Sequence, residues 1–386
     1  MSRYTKGNRV TLLRNGQEYF PALEAAIDGA SHEIHLQTYI YVADEVGRRI
    51  GAALKRAADR GVTVCLLLDG FGSKDLSKAY VEELQAADVN VMFYRPKISP
   101  WTLKRNRLRR LHCKLAVIDD HVAFVGGINI IDDFNVPGDK SAPRVDYAVR
   151  VEGKLLNPIL NRVRRLWHRI AWIHLLKWGN DNPAPRRPSP NFGAGVSAVF
   201  LIRDNVLHRH DIERAYLTAI ARAKSEIIIA NAYFLPGRHF RHALIAAAKR
   251  GVRVTLLLQG RMEYLLMFAT HAFYSAFLSH GIEIYEYRKS FMHSKVAVID
   301  SKWATVGSSN IDPFSLLLAR EANVVVRDQA FATELRLDLE RKILDGASQV
   351  KLESWRRGHT FKRIVSWMMF GVMRLMLGLI GYPNKH

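Results

Sequence analysis

Apolar and polar positions along the chain alternate in a way that predicts helices, each followed by a buried strand. An amphipathic helix is expected over residues 19–29, before an apolar run at residues 34–41. A second helix is expected over residues 46–60, before the continuously apolar run at residues 62–68, and an extended stretch follows at residues 91–94. Continuous apolar runs are typical of strands buried on both faces of a sheet. The pattern therefore predicts an α/β fold built in layers.

The same succession of elements occurs twice, in the same order. A spacing of roughly half the chain is far longer than the period of about 20–50 residues that solenoid repeats show. The repeat therefore indicates a duplicated domain. The paired blocks are residues 25–41 and 218–234, residues 54–70 and 245–260, residues 112–129 and 293–310, and residues 145–151 and 321–327.

The junction between the two halves is marked by composition. Residues 178–195 contain four prolines among several Gly and Asn residues, which is typical of a linker. We therefore expect two homologous domains, each a mixed β-sheet flanked by helices, related by a pseudo-twofold axis. The expected boundaries are residues 1–178 and 197–350 for the domains, 179–196 for the linker, and 351–386 for a basic and apolar C-terminal segment.

Each half contains one polar motif with the spacing H-x-K-x4-D, followed by a segment of small residues and an asparagine. Residues two apart on a strand face the same side, so the His and Lys of each motif are expected to point into one pocket. Small residues allow backbone N–H groups and an Asn amide to approach a phosphate oxygen. The motif residues are His112, Lys114 and Asp119 with Gly126, Gly127 and Asn129, and His293, Lys295 and Asp300 with Gly307, Ser308 and Asn310.

Two histidines that face each other across a pseudo-twofold axis suit a two-step phosphoryl exchange. One neutral imidazole attacks phosphorus, and the other protonates the leaving alcohol and deprotonates the incoming one. The lysines stabilise charge on the non-bridging oxygens, and an acid that accepts the second N–H of each imidazole fixes its tautomer. A single H-x-K is uninformative, but the long motif repeated within a duplicated framework strongly indicates such a site.

Charge and cysteine content narrow the class of protein. The chain has 57 Lys and Arg residues against 36 Asp and Glu residues, a formal net charge of +21. This excess favours a polyanionic partner: nucleic acid, an anionic membrane or phosphate-bearing substrates. Cys65 and Cys113 stand outside any C-x-x-C pattern, so neither a disulfide framework nor a zinc site is expected, and a reducing compartment is the default.

The two motifs resemble the paired HKD motifs of the phospholipase D superfamily, and the resemblance extends over residues 7–350. The chain is similar, more narrowly, to the bacterial cardiolipin synthase B type. This resemblance implies a phosphohistidine intermediate, no metal or other cofactor, and one active site at the interface of the halves. The closer similarity lies in residues 144–153, 203–217, 229–244 and 303–326.

The resemblance also assigns expected roles. His112 would be the nucleophile, as is common for the first motif of the superfamily, and His293 the acid and base. Lys114 and Lys295 would hold the phosphate. The expected substrate-binding residues are Asn129, Asn310, Gly126 and Ser308; the motif aspartates Asp119 and Asp300 take structural as well as catalytic parts, and Asp146 and Glu321 brace the histidines. Gly127 departs from the family pattern, which has Ser there, so one hydroxyl contact is lost in the first half.

Three segments are candidates for membrane contact: residues 99–112, 155–178 and 361–382, each of which combines basic residues with Leu, Ile or Trp. For residues 155–178, a core helix with a solvated basic face is an equal alternative. Residues 1–14 lack the apolar core of a signal peptide, and no run of about 20 uncharged apolar residues predicts a span. We expect a peripheral protein on the cytoplasmic face of the cell membrane.

The expected reaction is transfer of a phosphatidyl group between two phosphatidylglycerol molecules, giving cardiolipin and glycerol. Hydrolysis by water and exchange of another headgroup use the same residues and remain alternatives. An HKD nuclease would also suit the positive charge, but the chain has no recognised nucleic-acid module, so no nucleic-acid partner is expected. Two complete motifs argue against a non-catalytic membrane-binding protein.

Overall fold

The computed structural model describes residues 3–96, 109–136, 142–173, 192–193, 195–204, 207–261, 270–312 and 319–358, with Ser366, Met368 and Gly371. Three regions singled out in the sequence lie wholly or largely outside these described residues. They are the basic segment at residues 99–108, the linker at residues 179–191 and the apolar C-terminal segment at residues 361–382.

The first half alternates strands and helices as the apolar pattern predicts. The helix expected at residue 19 begins earlier, at Asn15, because β1 leads into it directly and the carboxylate of Asp133 accepts the N–H of Gly16. The elements are β1 (Thr5–Arg14), α1 (Asn15–Asp28), β2 (Glu33–Thr38), α2 (Glu45–Asp59), β3 (Thr63–Asp69), α3 (Lys78–Ala86), β4 (Val89–Tyr94), β5 (Arg110–Leu111), β6 (Lys114–Ile118), β7 (Val122–Gly126), β8 (Tyr147–Gly153) and α4 (Leu156–Ile173).

The second half repeats this order. Side-chain caps begin α2, α3 and the long helix Gln329–Gly346. Asp44 accepts the N–H of Gly47, Ser77 that of Tyr80, and Asp328 that of Phe331. The elements are β9 (Val196–Arg203), α5 (Asp211–Arg222), β10 (Glu226–Asn231), α6 (Arg238–Lys249), β11 (Arg253–Gln259), α7 (Tyr274–Leu278), β12 (Glu283–Tyr287), β13 (Lys295–Ile299), β14 (Trp303–Gly307), β15 (Ala319–Arg327), α8 (Gln329–Gly346), β16 (Ala347–Gln349) and α9 (Leu352–Gly358).

The strands of both halves form one mixed sheet rather than two separate sheets. Among the described residues the order is β16-β12-β11-β10-β13-β14-β15-β9-β1-β8-β7-β6-β2-β3-β4, with β5 paired to β15. The order on one side of the β9–β1 pair mirrors the order on the other side. Thr5 pairs with Ala198 and Asn8 with Val196, so the edge strands of the two halves join across the pseudo-twofold axis.

The halves share a central hydrophobic core and each has an outer core of its own among the described residues. Helix α4 packs into the central core through one face, which includes Val163, Trp167 and Ile170. Of the two alternatives for this segment, a core helix and a membrane contact, the core helix therefore describes residues 156–171. At the end of the helix, Trp172 is 78% exposed and Ile173 is 58% exposed.

The packing of the second half continues past residue 350. Strand β16 pairs with β12, and the indole of Trp355 in α9 is buried in the outer core against His271 and Tyr274. In the part of the chain that the structure describes, no helix has both the length and the hydropathy that a membrane span requires.

Candidate active site

Both motif histidines lie at the junction of the halves. His112 stands in the turn between β5 and β6, and its backbone N–H donates to the carbonyl oxygen of Arg320 in the second half (3.0 Å). His293 is placed equivalently, and its N–H donates to the carbonyl oxygen of Val145 in the first half (2.8 Å). A strand was expected to start at each histidine. It starts two residues later, at each lysine, because the histidine backbone bonds across the junction instead.

The imidazoles are held by acids from the opposite half. Nδ1 of His112 lies 3.0 and 3.1 Å from the two carboxylate oxygens of Glu321, and Nδ1 of His293 lies 2.6 Å from Oδ2 of Asp146. In the tautomer that donates Nδ1–H to the acid, Nε2 of each ring keeps its lone pair. Neither half of the chain is thus complete alone, since each histidine takes its acid from the other half.

The motif lysines are buried beside the histidines. Nζ of Lys114 donates to the carbonyl oxygen of His112 (2.7 Å), and Nζ of Lys295 donates to that of His293. Burial lowers the pKa of Lys114 to about 8 and that of Lys295 to about 7. In each case the acids of the site oppose this shift only in part. Two lysines that are poorly solvated have spare hydrogen-bond donors for an anion.

The electrostatics of the two histidine–acid pairs differ. Burial lowers the pKa of His112, and it lowers that of His293 further, since Lys295 also lies close. Burial alone would raise the pKa of Glu321, but His112 and other cations bring it below its ordinary value. The pKa of Asp146 is raised by burial, despite the opposing charge of Lys295. The first pair therefore contains the more firmly ionised acid.

The two asparagines after the motifs differ in their hydrogen bonds. Oδ1 of Asn129 accepts the N–H of Ile40 (3.1 Å), and Oδ1 of Asn310 is buried with no hydrogen-bond partner among the described residues. A Cβ at Gly126 would lie 2.5 Å from Cα of Ala148, so this position allows close backbone packing. Substrate binding by Asn129, Asn310 and Gly126 stays a prediction.

Ser308 was expected to contact substrate, and the structure places its hydroxyl elsewhere. The side chain is fully buried, and Oγ donates to Oε2 of Glu321 (2.5 Å) while it accepts the N–H of Ala322 (3.0 Å). Both interactions are internal to the protein. The structure thus gives Ser308 a part in fixing Glu321, the acid that holds His112, and its contact with substrate stays a prediction.

The motif aspartates lie at the far ends of β6 and β13, away from the imidazoles. The carboxylate of Asp119 accepts the backbone N–H groups of residues 31–33 at 2.9 Å each. That of Asp300 accepts the N–H groups of residues 224–226 at 2.8–3.0 Å. Both residues have positive φ, 49° and 52°. Each ties a hairpin turn to the loop before the neighbouring strand, which is the structural part expected of it, and a catalytic part stays a prediction.

Two side chains that sequence reasoning missed position the histidines from behind. Oδ2 of Asp69 accepts the N–H of Leu111 (2.7 Å), and Oε1 of Gln259 accepts the N–H of Met292 (3.3 Å). Leu111 and Met292 are the residues immediately before the two histidines. The repeated blocks could have identified both side chains, because each ends an apolar run directly before a glycine at equivalent positions of the two halves.

An aromatic ring flanks each histidine, in a different geometry. The ring of Tyr39 meets that of His112 edge-on, with centroids 4.9 Å apart, and Nζ of Lys114 lies 5.4 Å from the centre of the Tyr39 ring. The ring of Phe291 stacks on that of His293 at 6.0 Å. Burial raises the pKa of Tyr39 to about 12. Sequence reasoning missed both aromatic residues.

The family described as "Cardiolipin synthase, PLD-like domain" matches the chain twice, at residues 23–134 and 216–343. Cardiolipin synthase B of Salmonella typhi is 40% identical over 99% of this chain and 92% of that protein. Cardiolipin synthase B of Escherichia coli K12 is 39% identical over the same shares. Cardiolipin synthase 1 of Bacillus cereus is 27% identical over 93% of this chain and 70% of that protein.

Solved structures give the fold independently. The crystal structure of phosphatidylserine synthase from Haemophilus influenzae Rd KW20 superposes with a TM-score of 0.69, covering 97% of this chain and 95% of that one, at 14% sequence identity. The two proteins therefore share the fold, although few of their aligned residues are identical. With two matched domains, relatives similar over almost their full length, and the histidines of both motifs at one junction, the chain belongs to the cardiolipin synthase family of phospholipase D-like phosphatidyltransferases.

Proposed function

We propose that this protein makes cardiolipin by transferring a phosphatidyl group from one phosphatidylglycerol molecule to another, with release of glycerol. The observation that carries the proposal is the reciprocal bracing of His112 by Glu321 and of His293 by Asp146. This arrangement leaves two neutral imidazole Nε2 atoms at one junction, which suits a double displacement at phosphorus.

In the first step, Nε2 of His112 attacks the phosphorus of the donor lipid. The bond between phosphorus and the glycerol headgroup oxygen breaks, and His293 gives its proton to that oxygen. Glycerol leaves, and the phosphatidyl group stays on His112 as a phosphohistidine. The negative phosphodiester offsets the nearby positive charge of Lys295, which favours the protonated form of His293 that this step needs.

In the second step, His293 is neutral and takes the proton from a headgroup hydroxyl of the acceptor phosphatidylglycerol. The resulting oxygen nucleophile attacks phosphorus, and the bond from phosphorus to Nε2 of His112 breaks. Cardiolipin leaves, with His293 protonated for the next cycle. Lys114 and Lys295 donate hydrogen bonds to the non-bridging oxygens, whose charge is greatest in the transition states.

The choice of His112 as the nucleophile is supported by the difference between the two pairs. Glu321 is held ionised and contacts Nδ1 of His112 with both oxygens, and Ser308 fixes its orientation. An ionised acid behind the imidazole stabilises the positive charge that develops when Nε2 bonds to phosphorus. Asp146, whose pKa is raised, is a weaker partner of this kind for His293.

Binding at the cytoplasmic face of the cell membrane is part of the proposal. The net charge of +21 favours anionic lipid. Helix α4 ends in the exposed residues Trp172 and Ile173. Tryptophan is enriched where proteins meet the membrane interface, so this end of the helix suits a peripheral contact.

The test is turnover of labelled phosphatidylglycerol in mixed detergent–lipid micelles, followed by mass spectrometry without added metal. The proteins compared are wild type, His112→Ala, His293→Ala and the control His121→Ala, which removes an exposed histidine from the β6–β7 turn. We expect cardiolipin and glycerol with wild type and control, and a loss of about 10³-fold or more in both motif variants.

Quenching in alkaline denaturant, in which the P–N bond is stable, should also trap a labelled phosphohistidine on wild-type protein and on His293→Ala, but not on His112→Ala. Phosphatidic acid as the sole product would replace transfer by hydrolysis. No lipid product from active, folded protein would overturn the lipid substrate altogether.

A further inference from the structure

A surface cleft of about 580 Å³ lies in the second half, apart from the histidines. It is bordered by α5, by β9, by the turn between β13 and β14, and by the start of α8. That turn follows Asp300, at the end of β13 opposite to Lys295. The length of the strand therefore separates the cleft from the catalytic junction.

The floor of the cleft is apolar. Its side chains come from four elements, β9, α5, β13 and β14, and all of them are uncharged. A concave apolar surface of this volume is large enough to cover a hydrocarbon chain. The floor residues are Val199, Leu201, Ala215, Ala219, Ile299 and Trp303.

The rim of the cleft is cationic. Arg214, Arg222, Lys302 and Arg327 stand around it with exposed side chains. The guanidinium of Arg327 lies 3.9 Å from the centre of the Tyr4 ring, which fixes it over the cleft. Arg214, Arg222 and Lys302 form no ion pair with any residue that the structure describes.

Three acidic residues also line the cleft, and each keeps its negative charge while it is held by a partner within the protein. Oδ2 of Asp211 lies 2.8 Å from Nδ1 of His208, and Asp328 caps the N-terminus of α8. The carboxylate of Asp300 is used by the backbone of residues 224–226. Four cations against three carboxylates leave the lining of the cleft with a net positive charge around its apolar floor.

The internal duplication shows that the fold does not require these cations. When the halves are aligned on their motif aspartates and on the blocks that these anchor, the first half has other residues at the four positions. Pro21 stands for Arg214, Gly29 for Arg222 and His121 for Lys302. The pairing of β8 with β7 and of β15 with β14 places Glu152 at the position of Arg327, one residue further than the sequence blocks alone would place it. Two equivalent places in one fold thus differ in charge, which indicates a ligand-binding role confined to the second half.

We propose that this cleft binds an acidic phospholipid of the bilayer as a second, non-catalytic lipid site. One acyl chain lies on the apolar floor, and the phosphate of the headgroup contacts the cationic rim. Charge complementarity selects an anionic lipid over a zwitterionic one, and the floor selects a lipid over inorganic phosphate.

The test is photolabelling of the full chain by phosphatidylglycerol with a diazirine at the end of one acyl chain, carried in phosphatidylcholine vesicles. Labelled peptides are located by mass spectrometry. We expect adducts in residues 199–222 and 299–303, in addition to any at the catalytic junction. Arg214→Ala/Arg222→Ala/Lys302→Ala should reduce these adducts by about tenfold or more, since each basic residue near an anionic surface contributes to binding.

The matched control is Lys154→Ala/Lys249→Ala/Lys289→Ala, which removes three exposed cations outside the cleft and should label as wild type does. A second variant, Ala219→Phe, fills the floor without changing charge and should also lose the cleft adducts. Thermal unfolding of each variant confirms that it is folded. Equal loss in the control triple, displacement of the label by inorganic phosphate, equal labelling by diazirine phosphatidylcholine, or adducts confined to the catalytic junction would each overturn the proposal.

Discussion

The hydroxyl of Ser308 donates a 2.5 Å hydrogen bond to Oε2 of Glu321, and the equivalent position across the pseudo-twofold axis is Gly127. A Cβ at Gly127 would overlap the carboxylate of Asp146. The longer acid is therefore paired with a serine and the shorter acid with a glycine. The duplicated halves have diverged at the residues that hold the histidines, so the two imidazoles stand in unequal environments.

Gly127→Ser, which would give the first half the serine of the second half, is expected to be harmful. The new Cβ must displace Asp146, which holds Nδ1 of His293, so we expect kcat to fall by about 10²-fold with a smaller change in KM. Steady-state turnover of phosphatidylglycerol measures both constants. Ser308→Ala is the matched control, because it removes one hydrogen bond without overlap and should cost only about tenfold. A Gly127→Ser variant with wild-type kcat would contradict this account.

Glu321→Gln should keep the size of the side chain but remove the charge behind His112. By analogy with triads in which the buried acid is amidated, we expect kcat to fall by roughly 10²–10⁴-fold with folding intact. Because Glu321 supports the proposed nucleophile, formation of the phosphohistidine should slow most, as a quenched-flow burst measurement would show. Asp146→Asn should instead impair proton transfer by His293. If Asp146→Asn slowed the burst more than Glu321→Gln, the two histidines would have to exchange roles.

The activity of the free enzyme should decline as the pH rises through the pKa values of the buried lysines. The pKa of Lys295 is lowered to about 7 and that of Lys114 to about 8, both by burial, so each loses its positive charge in this window. The plot of kcat/KM against pH should fall above about pH 7. On the acid side the plot should stay level until His112, which must be neutral to attack and whose pKa is lowered from 6.5, takes up a proton.

The lowered pKa values of the two lysines should make the protein more stable as the pH rises, whereas they make it less active. A lysine whose pKa is lower in the folded state binds fewer protons there than in the unfolded chain above pH 7, so its contribution to the free energy of unfolding increases with pH. Loss of activity above pH 7 is therefore not expected to reflect unfolding, which circular dichroism would verify. Lys295→Arg, which stays charged, should move the alkaline limb upward. An unchanged limb would exclude Lys295 as its source.

Asp119→Asn and Asp300→Asn should weaken folding more than chemistry. Each carboxylate accepts three backbone N–H groups at the end of a hairpin turn, and an amide oxygen replaces a charged acceptor by a weaker one. We expect each variant to lose about 1–3 kcal/mol in the free energy of unfolding, measured by urea titration. The kcat of the protein that remains folded should stay within about threefold of wild type. A loss of kcat as large as that of the histidine variants would show a direct catalytic part and contradict this prediction.

The sequence by itself determined the features that depend on local spacing and on repetition. Alternating helices and apolar runs predicted an α/β fold, and repeated blocks predicted two related halves. The H-x-K spacing placed each lysine beside its histidine. The predictions of fold and duplication succeeded because strand and helix periodicity fix which neighbouring side chains share a face, whatever the rest of the chain does. Each lysine lies beside its histidine although the strand begins only at the lysine.

Only the tertiary structure decided how the halves complete each other. His112 meets Glu321 across 209 residues of sequence, and no local pattern specifies which acid reaches which imidazole. The joining of β1 to β9 into one sheet, the burial of α4 in the central core and the overlap that keeps residue 127 a glycine are likewise consequences of packing. Close packing depends on atoms that are distant in sequence, and that is why these relationships lay beyond the sequence.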